Sequence, residues 1–499
     1  MFLLAFAPPP FSHCQPPTSS LLSAPRFAYT PTPVRPCPPV ATKPVGALLI
    51  VESDMQGGVG GQAEQNERSE IAAMCGMTPS CPSGAVSVVN GSPREIFMLK
   101  PSFVSIYSGC GGLDLGFLQA GYRCLGAFDV DPCAISTHKR NMPSIPAHIV
   151  DLYEFKITDV IKSNPDVLVS SPPCQGFSTA GRRRLNDPRN LHVHISSDIA
   201  LALKPTVFLL ENVRGILAPP HDRHWQKLIA SLRRGGYKTK ELLCDASHHG
   251  IAQMRKRTVL VAWTGSANPE FNLEILPKLT IRDALKGING ATNNDAQFLR
   301  RGSVEDIIAG RIKPGQKLSN VRGGAASVHT WDIPEVYGRI TAHERTVLEA
   351  VRLLRRRNRA RAAGDADPVS AIAIREELKM PVHHLLSKLI AKRYLKKVGR
   401  EYDLTHTFNG KYKRLDWDGV SYTVDTRFGD PKYFLHPDEN RGLTVREAAR
   451  IQGFPDTFEF QGSEKHQYMQ VGNAVPPPLA LCLAEHIKRH LLSKGATGK

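Results

Sequence analysis

Four short stretches of this sequence join reactive side chains to residues that stiffen or tighten a loop. Ser170-Ser171-Pro172-Pro173-Cys174-Gln175-Gly176-Phe177-Ser178 sets a thiol in a proline-rich loop directly after a buried-type strand. A cysteine there lies at the carboxyl end of a sheet, where open α/β folds bind ligands, and the prolines restrict its backbone. As a thiolate it could attack an electrophilic carbon; as a packed cysteine at a strand-to-loop corner it would read the same. Glu211-Asn212-Val213-Arg214 follows a second apolar strand and could bring a carboxylate toward Cys174 across the sheet edge. Gln253-Met254-Arg255-Lys256-Arg257 leads into a third strand and offers guanidinium groups, or a solvated basic turn when read alone. Ser108-Gly109-Cys110-Gly111-Gly112 lies between a strand and a helix, a turn in which backbone approaches a nucleotide-like ligand closely. Asp129, ending the next strand, could accept ribose hydroxyls, although a solvated strand-end aspartate is equally common.

These residues need a sheet to aim them. Apolar runs over 103–107, 124–128, 148–150, 166–169, 207–210 and 258–262 alternate with helical patterns, which predicts an α/β unit on a largely parallel sheet. We place this unit at 98–267, with residues 441–499 returning to it through a closing helix rich in Leu and Ala. Between them, 268–440 loses the rhythm and turns basic. Residues 336–414 hold 19 Lys and Arg against 8 Asp and Glu, a net +11 of the chain's +18. Such a concentration fits a polyanionic partner.

Residues 1–97 are rich in Pro, Ser, Ala and Gly without helical or strand period, and are expected to be disordered, with Met98 an alternative start. The opening apolar residues lack a basic flank and are cut short by Pro8-Pro9-Pro10, which argues against a secretory signal. No stretch is long and apolar enough to span a bilayer. Ten cysteines in 499 residues, none in a paired CxxC arrangement, suggest neither a disulfide scaffold nor a metal site, and point to a reducing, cytoplasmic setting.

Taken in order, the motifs resemble the DNA cytosine-5 methyltransferase family, in its bacterial restriction-modification form. Pro173-Cys174-Gln175 matches the family's nucleophile loop, Glu211-Asn212-Val213 its Glu-Asn-Val motif, and Gln253, Arg255 and Arg257 its Gln-x-Arg-x-Arg motif. Leu443-Thr444-Val445-Arg446-Glu447-Ala448-Ala449-Arg450-Ile451-Gln452-Gly453-Phe454-Pro455 matches its late signature, and Gln470-Val471-Gly472-Asn473-Ala474-Val475-Pro476-Pro477 its closing motif. Two positions depart: Ser105-Ile106-Tyr107 stands where the family often has Asp-Leu-Phe, and Asp129 where it usually has Glu. The resemblance implies a Rossmann-like S-adenosylmethionine-dependent methyltransferase domain with a smaller, basic target-recognition domain.

It further implies that Cys174 adds to C6 of a flipped-out cytosine in duplex DNA, that Glu211 engages N3, and that Arg257, with Arg255 and Gln253, supports the reacting groups. Nearby cations, Arg257 foremost, would favour the thiolate. S-adenosylmethionine would be held by Tyr107, Gly109, Gly111, Asp129, Asp151, Pro173 and the segment Asn473, Ala474 and Val475, with Tyr107 stacking on adenine. Gln175 and Ser178 could contact DNA. A cognate restriction endonuclease and a monomeric state are expected on the same ground. Two rival readings are the same chemistry on tRNA and a catalytically silent DNA-binding protein on this fold; a short recognition region would mark the first, and loss of Cys174, Glu211 or Arg257 the second.

Within the basic insert, Thr341-Ala342-His343-Glu344 is a capping box opening a helix, Asp367-Pro368 starts a second, and a third runs from Pro381 with Val382, Leu385, Leu386, Leu389 and Ile390 on one face. A strand over 401–408 and an Asn409-Gly410 hairpin turn then complete an expected winged helix. Lys392, Arg393, Lys396 and Lys397 would grip duplex DNA.

Overall fold

The computed structural model describes residues 100–177, 186–360 and 366–492. The expectations for 1–97 and for Ser178 lie outside the described residues.

The strands β1 (Ser102–Ile106), β2 (Arg123–Asp129), β3 (Ala147–Ile149), β4 (Val167–Ser170), β5 (Val207–Val213), β6 (Lys238–Asp245) and β7 (Lys256–Trp263) form one sheet in the order β3-β2-β1-β4-β5-β7-β6. From β3 to β5 all neighbours are parallel, while β7 runs antiparallel to both β5 and β6. Successive side chains leave opposite faces, so the near-continuous apolar runs of the central strands feed two cores at once. Phe103, Val167, Val169, Val207 and Leu209 join one core; Val104, Ile106, Leu168, Phe208 and Leu210 join the other. β6 was not anticipated. Lys238-Thr239-Lys240-Glu241 is charged because this edge strand faces solvent over much of its length.

Helices α1 (Gly112–Gln119), α2 (Pro132–Asn141), α3 (His192–Leu203) and α4 (Asp222–Arg234) supply the crossovers. α2 starts where Asp131 Oδ1 accepts from Cys133 N at 2.9 Å, with Pro132 in the first turn, a common N-terminal pairing.

After β7 come α5 (Ile281–Leu285), α6 (Val304–Gly310), β8 (Lys317–Ser319), β9 (Ser327–Val328) and α7 (Pro334–Tyr337). The basic insert then folds around its own core, including Val347, Val351, Leu354, Ile374, Leu386, Leu389, Leu395 and Leu404. Its order is α8 (Ala342–Arg357), β10 (Val369–Ser370), α9 (Ala371–Leu378), α10 (His383–Ala391), β11 (Leu395–Val398) and β12 (Glu401–Leu404), with β12 between β10 and β11. Three helices and a hairpin, closed by a short strand after the first helix, make a winged helix. The capping box of α8 is formed, Thr341 N donating to Glu344 Oε2 at 2.7 Å.

Four details differ from the sequence reading, the first being that the strand expected over 401–408 ends at Leu404. Asp367-Pro368 leads into β10, and the second helix begins at Ala371. The wing is the β11–β12 hairpin, turning at Gly399-Arg400, where Gly399 adopts φ 61°. Asn409-Gly410 is no hairpin turn: β13 (Asn409–Lys411) pairs antiparallel with β8. The Leu395–Leu404 and Val398–Glu401 pairings match the two-residue loop, whereas Asn409-Gly410 is captured by a strand remote in sequence, which a local turn rule does not foresee.

Finally α11 (Val445–Ile451), α12 (Glu464–Asn473) and α13 (Pro477–Ile487) bring the chain back to the sheet. α13 packs on α1 so closely that a Cβ on Gly116 would lie 2.4 Å from Ala480 Cβ. No helix among the described residues is long and apolar enough to cross a membrane.

Candidate active site

The sheet order creates the site. From β1 the chain winds outward through β2 and β3, then crosses back so that β4 pairs on the other side of β1. The loops leaving β1 and β4 therefore diverge, opening a crevice at their carboxyl ends. There lies a cleft of about 310 Å³. Its lining includes Tyr107 and Gly109 from the β1 loop, Pro173, Cys174 and Gln175 from the β4 loop, and Asp129 from the end of β2. Glu211 enters from β5, Arg255 from the approach to β7, Arg257 from β7 itself, and Asn473, Ala474 and Val475 from the α12–α13 junction.

At one end, Gly109 N donates to Asp129 Oδ2 at 2.8 Å and Asp131 N donates to Asp129 Oδ1 at 2.9 Å. Burial pushes the Asp129 carboxyl above the usual range, and those backbone bonds act against that rise. Tyr107 has φ 54°, and its hydroxyl lies 3.1 Å from His192 Nδ1. Gly112 meets the far wall: an added Cβ would fall 2.5 Å from the Val475 carbonyl oxygen. Two buried polar atoms of the lining, Ser108 Oγ and Gln470 Oε1, have no hydrogen-bond partner among the described residues. A crevice with a half-buried acid, a glycine turn and orphaned polar atoms suits S-adenosylmethionine, whose ribose, amino and carboxylate groups would satisfy them.

At the other end, Arg257 Nε lies 2.7 Å from Glu211 Oε1, with both side chains about nine-tenths buried. Asn212 Nδ2 donates to the Pro172 carbonyl at 3.2 Å, tying the β5 motif to the loop that carries Cys174. The Cys174 thiol is pushed above its ordinary range by burial first and by Glu211 second. Arg257 and Arg255 pull it down, as expected of cations, but burial and the carboxylate outweigh them.

Several assigned residues stand elsewhere. Gly111, at φ 94°, faces α2: a Cβ there would meet Met142 Cε at 2.2 Å, so its part is to make the turn. Asp151 is exposed and accepts from Tyr153 N at 2.9 Å, as a turn cap does; it does not line the cleft. Gln253 is fully buried behind the cleft, donating to the Ile451 carbonyl at 3.2 Å and accepting from Val424 N at 3.1 Å. Arg255 lines the cleft yet spends its guanidinium on the carbonyls of Val424, Gly472 and Ala474, at 2.9, 3.1 and 2.8 Å. Gln253 and Arg255 thus clamp the recognition region and the closing motif onto β7. In the insert all four cations are exposed; Lys392 bonds Glu344 at 2.8 Å and Lys396 lies 3.8 Å from Asp403, while Arg393 and Lys397 have no carboxylate within ion-pair distance among the described residues. Lys396 and Lys397 belong to β11, one strand of the wing.

The sequence reading missed Ser108, Asp131 and Gln470 as lining residues. Asp131-Pro132 was visible as a helix start, and Gln470 opens the closing motif. It also missed a buried chain in which Ser105 Oγ donates to Asp114 Oδ1 at 2.5 Å while Asp114 Oδ2 lies 2.9 Å from His138 Nε2. Ser105 occupies a position where the resembled family often has Asp, and α1 supplies the buried acid instead.

Comparison with known proteins agrees with this geometry. The family model for C-5 cytosine-specific DNA methylase matches residues 101–489. The chain is 30% identical over 436 residues to the Type II methyltransferase M.AgeI of Thalassovita gelatinovora, covering 77% of this chain and 98% of that protein. It is 28% identical over 413 residues to the Type II methyltransferase M.XorII of Xanthomonas oryzae pv. oryzae, covering 80% and 87%. In fold it is similar to the crystal structure of a DNA modification methyltransferase encoded within an E. coli prophage, with TM-score 0.50, 23% identity and coverage of 79% of this chain and all of that one. A match over most of the chain, on a sheet whose crevice gathers the family's motifs, places this protein among the C-5 cytosine-specific DNA methylases, as a DNA (cytosine-5)-methyltransferase with S-adenosylmethionine as its methyl donor.

Proposed function

We propose that the enzyme methylates cytosine in a specific duplex sequence through a covalent bond between Cys174 and the base, and protects host DNA within a restriction-modification system. The convergence of Cys174, Glu211 and Arg257 in the crevice that also holds Gly109 and Asp129 carries this reading. The two named Type II relatives support the restriction-modification role.

Cytosine C5 is a weak nucleophile until C6 is substituted. Cys174 Sγ bonds to C6, and the C5–C6 π electrons become available at C5. As charge moves onto N3, Glu211 delivers a proton to it and takes that proton back when the adduct collapses, with Arg257 fixing its orientation. S-adenosylmethionine, when bound, supplies an electrophilic methyl group for C5. Loss of the C5 proton then restores the double bond and expels Cys174 as thiolate. Asp129, Tyr107, Gly109, Pro173 and the segment Asn473–Val475 would hold the donor. The buried C6 of a stacked base requires the cytosine to leave the helix, at a cost of a few kcal/mol, which contacts such as those of exposed Gln175 would offset. Monomeric action beside a separate endonuclease completes the proposal.

Expression in a methylation-free bacterial host, with bisulfite sequencing of host DNA beside a Cys174→Ala control, tests it. Protected cytosines in one short motif, absent from the control, are expected. If folded protein leaves every cytosine convertible, the reading fails.

A further inference from the structure

The cations of the insert fall into two sets. On α8, Arg345 pairs with Asp332 at 2.7 Å, Arg352 with Glu349 at 2.6 Å, Arg355 with Asp403 at 2.5 Å, and Arg357 with Glu377. With Lys392 on Glu344, these fasten the helices and the wing to one another. Lys388, Arg393, Lys397 and Arg400 are exposed, and no carboxylate among the described residues lies within ion-pair distance of them. They lie along one stretch, from the outward side of α10, through the turn at Arg393, to the wing tip. Residues 379–400 contain seven Lys and Arg and no Asp or Glu. The exposed residues of α10 are His383, His384, Ser387, Lys388 and Ala391, small or hydrogen-bonding groups without a negative charge. The nearest acids in sequence are Glu376 and Glu377 on α9 and Glu401 on β12.

This stretch stands apart from the catalytic cleft. The insert has its own core, and none of its residues lines the cleft. We propose that the winged-helix insert is a second contact for duplex DNA, gripping the double helix beside the target sequence; the inference rests on the reading of the enzyme as acting on duplex DNA. α10 is a helix of the size the major groove admits, and its outward groups are donors to base edges or phosphates. Arg393, Lys397 and Arg400 supply phosphate contacts, which add affinity and orientation without reading sequence. The insert therefore governs how tightly DNA is held, and the cleft governs what is done to the base.

The test uses the full chain carrying Lys388→Ala, Arg393→Asn, Lys397→Ala and Arg400→Ala together, asparagine being tolerant of the left-handed backbone at φ 61°. The affinity for sheared unmethylated bacterial DNA is measured across a salt series, with KM for DNA and kcat measured alongside. The salt slope is expected to fall by about one for each lost phosphate contact, and KM to rise about tenfold or more with kcat unchanged. An unchanged slope and KM overturn the proposal. A charge-keeping variant, Lys388→Arg, Lys397→Arg and Arg400→Lys, is expected to bind as the parent does; loss equal to that of the neutral variant would mean a structural effect and overturn it too. Duplex RNA outcompeting DNA at this face also overturns it. Should the parent protein methylate no DNA while neutralisation still lowers the salt slope, the methylation reading fails and the second contact stands.

Discussion

Arg257 and Glu211 meet at 2.7 Å because β5 and β7 are antiparallel in a register that sets Arg257 opposite Val213 and Glu211 opposite Val259. The two side chains are diagonal neighbours on one face of the sheet, within reach of long side chains. That face looks into the crevice where Cys174 sits, so Arg257 and Glu211 act on the thiol in opposite directions, the cation pulling it down and the carboxylate pushing it up.

The chemistry should consequently show a high ascending pH limb. Burial and Glu211 raise the Cys174 thiol, so thiolate forms at higher pH than for a free cysteine, and the rate rises with pH through that raised value. Arg257→Ala removes a lowering influence, which moves the limb further up, and cuts kcat at neutral pH by about a hundredfold. Single-turnover methyl transfer against pH checks this; a limb that stays in place or moves down in the variant would contradict it.

Asp129 holds two backbone N–H groups and presents its carboxylate to the cleft. Asp129→Asn exchanges charge-assisted acceptors for a neutral one and should weaken S-adenosylmethionine binding about tenfold. Because burial raises this carboxyl, lowering the pH protonates it sooner than an ordinary aspartate, and donor affinity should fall correspondingly early. Calorimetric titration between neutral and acidic pH reads both; affinity that is flat down to the ordinary carboxylate range would refute the assignment.

Gly112 leaves no room for a side chain against the Val475 carbonyl. Gly112→Ala must displace α1 or the closing segment, an overpacking cost of about 1–3 kcal/mol. Donor affinity should drop together with the melting temperature. A variant with parental values for both would show that the segment is looser than the packing indicates.

Gln253 separates positioning from chemistry. Gln253→Ala leaves Val424 N unpaired in a fully buried setting, costing about 1–3 kcal/mol of stability. Its melting temperature should fall while kcat at saturating substrate falls less than about tenfold, whereas Cys174→Ala removes turnover entirely. Abolished turnover in a stably folded Gln253→Ala would put Gln253 among the reacting groups after all.

The sequence by itself determined the local pieces. Apolar runs such as Val207-Phe208-Leu209-Leu210 had to become buried strands, Asp131-Pro132 and Thr341 through Glu344 had to open helices, and Pro173-Cys174-Gln175 had to sit in a loop at a strand end. These outcomes depend on side-chain period, capping and backbone restriction, which act over a few residues. Tertiary structure decided which pieces meet. That Gln253 is a clamp and Arg257 a partner of Glu211 follows from strand register and from α11 and α12 accepting hydrogen bonds from the segment that leads into β7, contacts between residues far apart in the chain. The same holds for the insert: Lys392, Arg393, Lys396 and Lys397 read alike in sequence and all reach the surface, and only the fold brings a carboxylate, Glu344 or Asp403, to two of them. Charge type is written in the residue, but whether a charge is paired depends on distances that only the packed chain sets.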